Sequence, residues 1–185
     1  YRKFTDEMLL LWREIMERVP HAQLLLKSQI FFAPAMVEEA RERLTRLGFD
    51  LTRVLLEPAT TDYMERYLDV DIALDTYPWP GGGTTCDALY MGVPIVTLYG
   101  ARRSTRFSYA LLSLVGLDEL AVQSPAEYVA HAAGLAGDLD RLDQLHVSLR
   151  ARMERSAVMD QEGYMRALEQ AYEHALARWR EGERA

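Results

Sequence analysis

The spacing of apolar residues predicts an amphipathic helix near the start of the chain. Thr5 stands at the position of a helix N-cap, and Asp6 and Glu7 follow in the first turn. The apolar residues after them share one helical face: Met8, Leu11, Trp12, Ile15, Met16 and Val19. We expect this helix to end at Pro20.

Short apolar runs then alternate with further helical patterns. The predicted strands are Leu24–Leu26, Arg53–Glu57, Asp71–Asp75 and Pro94–Leu98. The predicted helices between them are about Ala35–Leu47 (closed by Gly48), a short segment through Met64 and Tyr67, and about Thr84–Met91. Continuous apolar strands that alternate with helices are typical of a parallel sheet covered on both faces. The pattern therefore predicts a doubly wound, Rossmann-like α/β fold.

The last third of the chain is predicted to be mainly helical. The elements expected there are a helix near Thr105–Val115, a strand at Leu120–Val122, and helices near Pro125–Ala136, Asp138–Arg155 and Gln161–Arg180. We expect one domain over residues 1–185, with an α/β core up to about residue 123 and a helical part from about residue 124.

Composition and charge narrow the possible functions. The 185 residues are 49% hydrophobic, which suffices for a folded core. The net charge of −7 makes the surface repel nucleic-acid phosphates and anionic lipid, so we expect neither as a partner. The single cysteine, Cys86, fits a reducing, cytoplasmic setting, and no apolar run is long enough to predict a membrane span.

The most unusual loop follows the predicted strand Asp71–Asp75. Ligands of open α/β sheets bind beyond the carboxyl ends of the strands, and there the chain reads TYPWPGGGTTCD, residues 76–87. The glycines let the backbone approach a ligand, while the helix start and the hydroxyls of Thr84 and Thr85 add donors for a phosphate or diphosphate. Asp87 lies one turn into the helix, where its carboxylate can accept from ribose hydroxyls.

Taken alone, the loop also fits a purely structural role. It matches neither the GxGxxG nor the P-loop pattern. Thr84 or Thr85 would then cap the helix, and the helix dipole would favour Asp87.

Three other groups of polar residues carry weaker signals. Arg102, Arg103 and Arg106 begin a predicted helix, which favours a nearby anion, although solvated arginines fit equally well. Asp69-Val70-Asp71 has the form of a metal-binding DxD motif, but it precedes a strand and is interpreted as structural. The four histidines are scattered and indicate no metal site.

The segment DIALDTYPWPGGGTTCDALYMGVPIVTLYG (71–100) resembles the donor-binding core of O-GlcNAc transferase and SPINDLY-like glycosyltransferases, of the bacterial type associated with tetratricopeptide repeats. The resemblance extends to KFTDEMLLLW (3–12), LLLKS (24–28), GLDELAV (116–122), EYV (127–129) and SAVMD (156–160). It implies the C-terminal, nucleotide-sugar-binding half of a GT-B enzyme. The acceptor-side half would lie upstream, outside the part that is resembled.

The resemblance also implies roles for individual residues. Lys3 falls on the family's catalytic lysine, which contacts the donor diphosphate, and Asp87 falls on its ribose-binding aspartate. The base would be held within Glu57–Tyr63, with Pro58, Ala59 and Tyr63 as binding residues. The diphosphate loop would comprise Gly81, Gly82, Gly83, Thr84 and Thr85. No metal and no other cofactor is expected, because Lys3, the loop amides and the helix dipole would stabilise the leaving diphosphate.

The chain departs from the family pattern in three places. Tyr63 stands where many relatives have histidine and Thr60 where some have lysine; a tyrosine can stack on a base but carries no positive charge. The GGGTT sequence lacks side-chain donors that several relatives have, which leaves the backbone amides. The chain starts at Tyr1, just after the position of the first strand in this half of the family fold. Either the sequence is an excerpt of a longer one, or the sheet lacks a strand that relatives place near its middle.

The favoured function is that of the donor half of an inverting, metal-independent protein O-glycosyltransferase. It would transfer a sugar from UDP-GlcNAc, UDP-glucose or GDP-fucose to a protein Ser or Thr. Its expected partners are the protein acceptor, the upstream catalytic half and tetratricopeptide repeats. The alternatives are a non-catalytic nucleotide-sugar or protein-binding module and a Rossmann-like domain for another phosphorylated ligand.

Overall fold

The computed structural model describes residues 3–180 and residue 182. The outermost residues of the predicted 1–185 domain, 1–2, 181 and 183–185, lie outside the described residues. The described helices are α1 (Asp6–Arg18), α2 (Pro34–Arg46), α3 (Gly83–Tyr90), α4 (Phe107–Leu114), α5 (Pro125–Gly137), α6 (Leu139–Glu154) and α7 (Gln161–Arg180). The described strands are β1 (Leu24–Lys27), β2 (Val54–Glu57), β3 (Ala73–Leu74), β4 (Ile95–Leu98) and β5 (Ala121–Val122).

All strand pairs in the described part of the chain are parallel, which confirms the predicted α/β class. β1 pairs with β2, and β4 lies between β3 and β5 in a second group. Every residue of β4 is buried, because helices cover both of its faces. The described strands form two hydrogen-bonded groups, and no hydrogen-bonded pair of described strands joins the two groups.

Helix ends coincide with capping residues. The Thr5 hydroxyl accepts from the Met8 amide (3.2 Å) at the start of α1, and Ser124 and Glu127 form a reciprocal capping box at the start of α5. Gly48 follows α2 with a φ of +82°, a conformation that glycine adopts without strain. Several elements differ from the expected bounds: α1 ends at Arg18, before Pro20, and the strand predicted over Asp71–Asp75 is only Ala73–Leu74. The predicted short helix through Met64 and Tyr67 is a 3₁₀ turn over Glu65–Asp69.

The helices of the last third differ in how they pack. α5 packs against α1, β4, β5 and α6, whereas α7 buries none of its residues against the rest of the described chain. None of the described helices combines the length and apolarity that crossing a membrane requires.

A chain of buried hydrogen bonds joins α1, α5 and the end of β3. The indole N–H of Trp12 donates to the hydroxyl of Tyr128 (3.0 Å), and that hydroxyl donates to the carbonyl oxygen of Asp75 (2.9 Å). Tyr128 is fully buried, so water cannot replace either bond. Burial raises the pKa of the Tyr128 phenol far above its ordinary value, which keeps it protonated as a donor.

We predict that Tyr128→Phe lowers the free energy of unfolding by roughly 1–3 kcal/mol, because it leaves a buried indole N–H and a buried carbonyl without partners. Urea unfolding followed by circular dichroism measures this change. Tyr172→Phe, on the exposed α7, is the matched control and should change stability by less than about 0.5 kcal/mol. Equal stability of the two variants would show that the hydrogen-bond chain contributes nothing.

Candidate functional site

The loops at the carboxyl ends of β2, β3 and β4 lie where parallel α/β sheets bind ligands. The loop after β3 runs to Gly82 and leads into α3. Its residues contact the segments before α1 and around the start of α4, so side chains that are distant in sequence meet at this edge.

A buried carboxylate holds the loop after β3. Asp75 is only 5% exposed, and its carboxylate accepts from the Thr76 amide (2.9 Å), the Gly81 amide (2.8 Å) and the Thr97 hydroxyl (2.7 Å). These bonds close the chain from Asp75 to Gly81 into a ring. Sequence reasoning missed this role; the signal that could have found it is an aspartate at the end of an apolar strand, where a buried charge needs several donors.

Beyond Gly81 the backbone opens towards solvent. Gly82, Gly83 and Thr84 are exposed, and α3 begins at Gly83 without a side-chain cap. Within the described chain, the amides of residues 82–85 have no acceptor, whereas the Cys86 amide donates to the Gly82 carbonyl (3.0 Å). A methyl group added at Gly82 or Gly83 would meet nothing within 4 Å, so a ligand can approach this backbone closely. The arrangement fits an anion at a helix N-terminus.

Gly81 and Thr85 face the interior instead. A Cβ at Gly81 would lie 2.3 Å from the Thr85 hydroxyl oxygen, so this position requires glycine for packing. The Thr85 side chain is fully buried and shares a hydrogen bond with Ser108 on α4 (2.9 Å); Ser108 also donates to the Gly81 carbonyl (3.3 Å). The sequence predicts a ligand-facing hydroxyl at Thr85, but packing against α4 turns that hydroxyl inward, and the Thr85 amide has no acceptor within the described chain.

Lys3, near the start of the chain, contacts the residue just before the glycine loop. Its ammonium nitrogen donates to the Pro80 carbonyl oxygen at 3.2 Å, across 77 positions of sequence. The Lys3 side chain is exposed, so its remaining N–H donors are accessible to a ligand. The structure thus brings together Lys3 and the loop Gly81–Thr85.

Tyr63 and Asp87 also lie together. The Tyr63 hydroxyl donates to the Asp87 carboxylate at 3.3 Å, and the negative charge of Asp87 raises the pKa of the Tyr63 phenol. The Tyr67 hydroxyl donates to the Thr84 carbonyl at 3.5 Å, and burial, aided by the charge of Asp87, raises the pKa of Tyr67 to about 12. Both phenols therefore remain neutral donors beside a single carboxylate.

An ion pair fixes the segment that contains Pro58 and Ala59. The guanidinium of Arg66 binds both carboxylate oxygens of Glu57, at 2.9–3.2 Å, and also pairs with the exposed Asp69 at 2.8 Å. Arg66 thereby ties the residue before Pro58 to the turn after Tyr63, and Pro58 and Ala59 remain half-buried. The hydrogen bonds from Arg66 hold the pKa of Glu57 below its ordinary range. Asp69 of the DxD sequence thus has a structural partner, as expected.

Arginines follow β4 on the same edge. Arg102, Arg103 and Arg106 are exposed, and the Arg106 guanidinium carbon lies 5.6 Å from the ring centres of both Tyr99 and Tyr109. The two rings are stacked at 4.3 Å, so aromatic contacts account for the placement of Arg106.

We predict that Arg66→Gln destabilises the fold by up to about 1 kcal/mol at pH 7 and that the difference disappears in acid. Because the pKa of Glu57 is lowered in the folded state, its pairing stabilises fully above the unfolded-state pKa of glutamate, about 4.3. The contribution is lost as the pH falls through the lowered folded pKa. Urea unfolding at several pH values measures the difference. Arg166→Gln removes an exposed pair with Glu162 and is the control; an equal effect of both variants at pH 7 would contradict the proposed role of Arg66.

Comparison with known proteins identifies the protein family that this chain matches. The profile of Glycosyl transferase family 41 matches residues 1–168. The rice (Oryza sativa) SPINDLY protein, a probable UDP-N-acetylglucosamine–peptide N-acetylglucosaminyltransferase, is 38% identical over 184 residues, which are 98% of this chain and 20% of that protein. The UDP-N-acetylglucosamine–peptide N-acetylglucosaminyltransferase of Caenorhabditis elegans is 26% identical over 97% of this chain and 16% of that protein.

A solved structure agrees with the sequence relatives. A mutant of the Thermobaculum terrenum O-GlcNAc transferase superposes with a TM-score of 0.86 at 35% identity, and the match covers 92% of this chain and 33% of that one. The chain spans about a fifth of the length of the SPINDLY relatives that it matches. The match over most of the chain shows that it belongs to Glycosyl transferase family 41.

Proposed function

We propose that this chain is the nucleotide-sugar-binding half of an inverting, metal-independent protein O-glycosyltransferase. It would hold UDP-GlcNAc, or a related donor, for transfer of the sugar to a Ser or Thr of a protein. The observation that carries the proposal is the 3.2 Å bond between the Lys3 ammonium and the Pro80 carbonyl, because it sets a cation beside the open amides of residues 82–85.

The proposed site has three parts that follow the parts of a nucleoside diphosphate. The diphosphate would lie on the amides of Gly82–Thr85, where the N-terminal end of α3 favours negative charge. The ribose hydroxyls would donate to Asp87, and the base would lie against Pro58, Ala59 and Tyr63. Tyr63 bonds to Asp87 in the described structure, which supports adjacent base and ribose positions.

Lys3 and the loop amides would act on the leaving group. When the bond between sugar and diphosphate breaks, negative charge grows on the departing diphosphate. A fixed ammonium and fixed N–H donors at that position stabilise the transition state more than the ground state, which lowers the barrier. In this proposal, Lys3 is the catalytic residue because it contacts the reacting phosphate.

The donor and the partners are proposed from the relatives. Their names specify UDP-N-acetylglucosamine as donor and a peptide as acceptor, and we extend both to the protein of which this chain is a part. The acceptor would be bound mainly by an upstream catalytic half, with tetratricopeptide repeats before it. The single cysteine supports a reducing, cytoplasmic setting for this assembly.

We predict that Lys3→Ala weakens UDP-GlcNAc binding by roughly 1.5–3 kcal/mol, because it removes a charge-assisted contact with the diphosphate. Isothermal titration with UDP, GDP, UDP-GlcNAc and GDP-fucose measures affinity and identifies the donor. Arg178→Ala removes the same charge from α7 and should leave binding unchanged.

Two results would count against the proposal. Equal affinity of the Lys3→Ala variant and the unaltered protein would remove Lys3 from the site. Failure of the unaltered protein to bind any of the four nucleotides would overturn donor binding by this chain and leave the non-catalytic module as the better description.

We further predict that Asp87→Ala, which removes the acceptor, abolishes discrimination between UDP and 2′-deoxy-UDP. The unaltered protein should bind UDP more tightly, because the 2′-hydroxyl donates to a carboxylate, a bond worth roughly 1.5–3 kcal/mol. Competition titration of both nucleotides against both proteins measures the ratio. A ratio that survives in Asp87→Ala would place the ribose elsewhere.

A further inference from the structure

The peptide group between Pro80 and Gly81 bonds to two side chains of opposite charge, one at its carbonyl oxygen and one at its N–H. The Lys3 ammonium donates to the carbonyl oxygen of Pro80 (3.2 Å), and the Asp75 carboxylate accepts from the N–H of Gly81 (2.8 Å). These two atoms belong to the same peptide unit. Because that unit is planar and trans, its C=O and N–H point in opposite directions, and its orientation is fixed once either end is held.

The two ends differ in how firmly they are held. Asp75 is 5% exposed and bonded to the Thr76 amide and the Thr97 hydroxyl as well as to Gly81, and its own carbonyl accepts from Tyr128. Lys3 is exposed, and its ammonium has the Pro80 carbonyl as its partner within the described residues. The rigid end therefore determines the orientation, and the flexible lysine follows it.

We propose that Asp75 is a positioning residue for Lys3. By holding the Gly81 N–H, Asp75 aims the Pro80 carbonyl outward as the docking point of the ammonium, and so sets where Lys3 meets a diphosphate. A carboxylate on the N–H also polarises the peptide and makes its carbonyl a stronger acceptor. One of the three ammonium hydrogens is used at Pro80, which leaves two for phosphate oxygens. The inference rests on the proposed function.

The proposal requires that Asp75 and Lys3 act as one unit, which a double-mutant cycle detects. Asp75→Ala should weaken UDP binding about tenfold, as expected for a misplaced hydrogen bond to a charged group. In a Lys3→Ala background it should cause no further loss. Asp75→Asn keeps an acceptor for the Gly81 N–H and should restore UDP affinity to within about twofold of the unaltered protein.

Two further measurements separate positioning from general loss of structure. UMP lacks the second phosphate, so its affinity should change less than about twofold in every variant. Ser124→Ala removes the N-cap of α5 and so destabilises the fold, yet it should leave UDP affinity unchanged. If Asp75→Ala does not fold, the cycle is run with Thr97→Val, which removes one of the donors that hold the Asp75 carboxylate. It should weaken UDP binding in the unaltered protein and cause no further loss in the Lys3→Ala background.

Each alternative outcome has a definite meaning. Additive losses in the double variant, or equal losses of UDP and UMP affinity in Asp75→Ala, would each overturn the role of Asp75. If the unaltered protein binds neither nucleotide, the proposed donor site itself is wrong. If UDP binds and depends on Lys3 but not on Asp75, only the positioning role fails.

Discussion

The candidate site depends on a buried carboxylate that must be fully hydrogen-bonded. A charged group removed from water costs several kcal/mol unless partners replace its hydration. Asp75 finds its partners in the Thr76 amide, the Gly81 amide and the Thr97 hydroxyl. Thr97 belongs to β4 and Gly81 to the far end of the loop, so the carboxylate is satisfied only when sheet and loop are both in place. Folding and site formation are therefore coupled at one residue.

The same coupling extends to the helices that frame the site. The Asp75 carbonyl accepts from Tyr128 on α5, and Tyr128 accepts from Trp12 on α1. The segment just before α1 carries Lys3, so the hydrogen-bond chain that anchors α1 also anchors the base of the lysine. A helix from the last third of the chain, packed on α1, β4 and β5, thus supports the loop after β3.

The sequence predicted the elements well because local signals specify them. The strands are apolar runs. The side chains of Thr5 and Ser124 cap the starts of α1 and α5, and Gly48 ends α2 through its positive φ. Tertiary relations were harder. No local sequence pattern predicts the contact of Lys3 with Pro80. A role of Lys3 at the diphosphate was predicted only from the family resemblance. The inward turn of Thr85 depends on Ser108, which comes from another helix. The contact of Tyr63 with Asp87 likewise arises between separate segments.

The site divides into a fixed floor and an open rim, and this division bears on what each part can do. The floor consists of three buried residues, Asp75, Gly81 and Thr85. Hydrogen bonds within the protein hold this floor in place without a ligand, so binding costs no further conformational entropy there. Gly82, Gly83, Thr84, Lys3 and Tyr63 are exposed, and they carry the donors that a ligand would meet. A rigid floor with an exposed rim confines the loss of conformational entropy to a few side chains. Tyr63 and Lys3 are the long side chains of that rim. A substitution at the rim would therefore change the contacts that a ligand meets while the floor keeps its geometry.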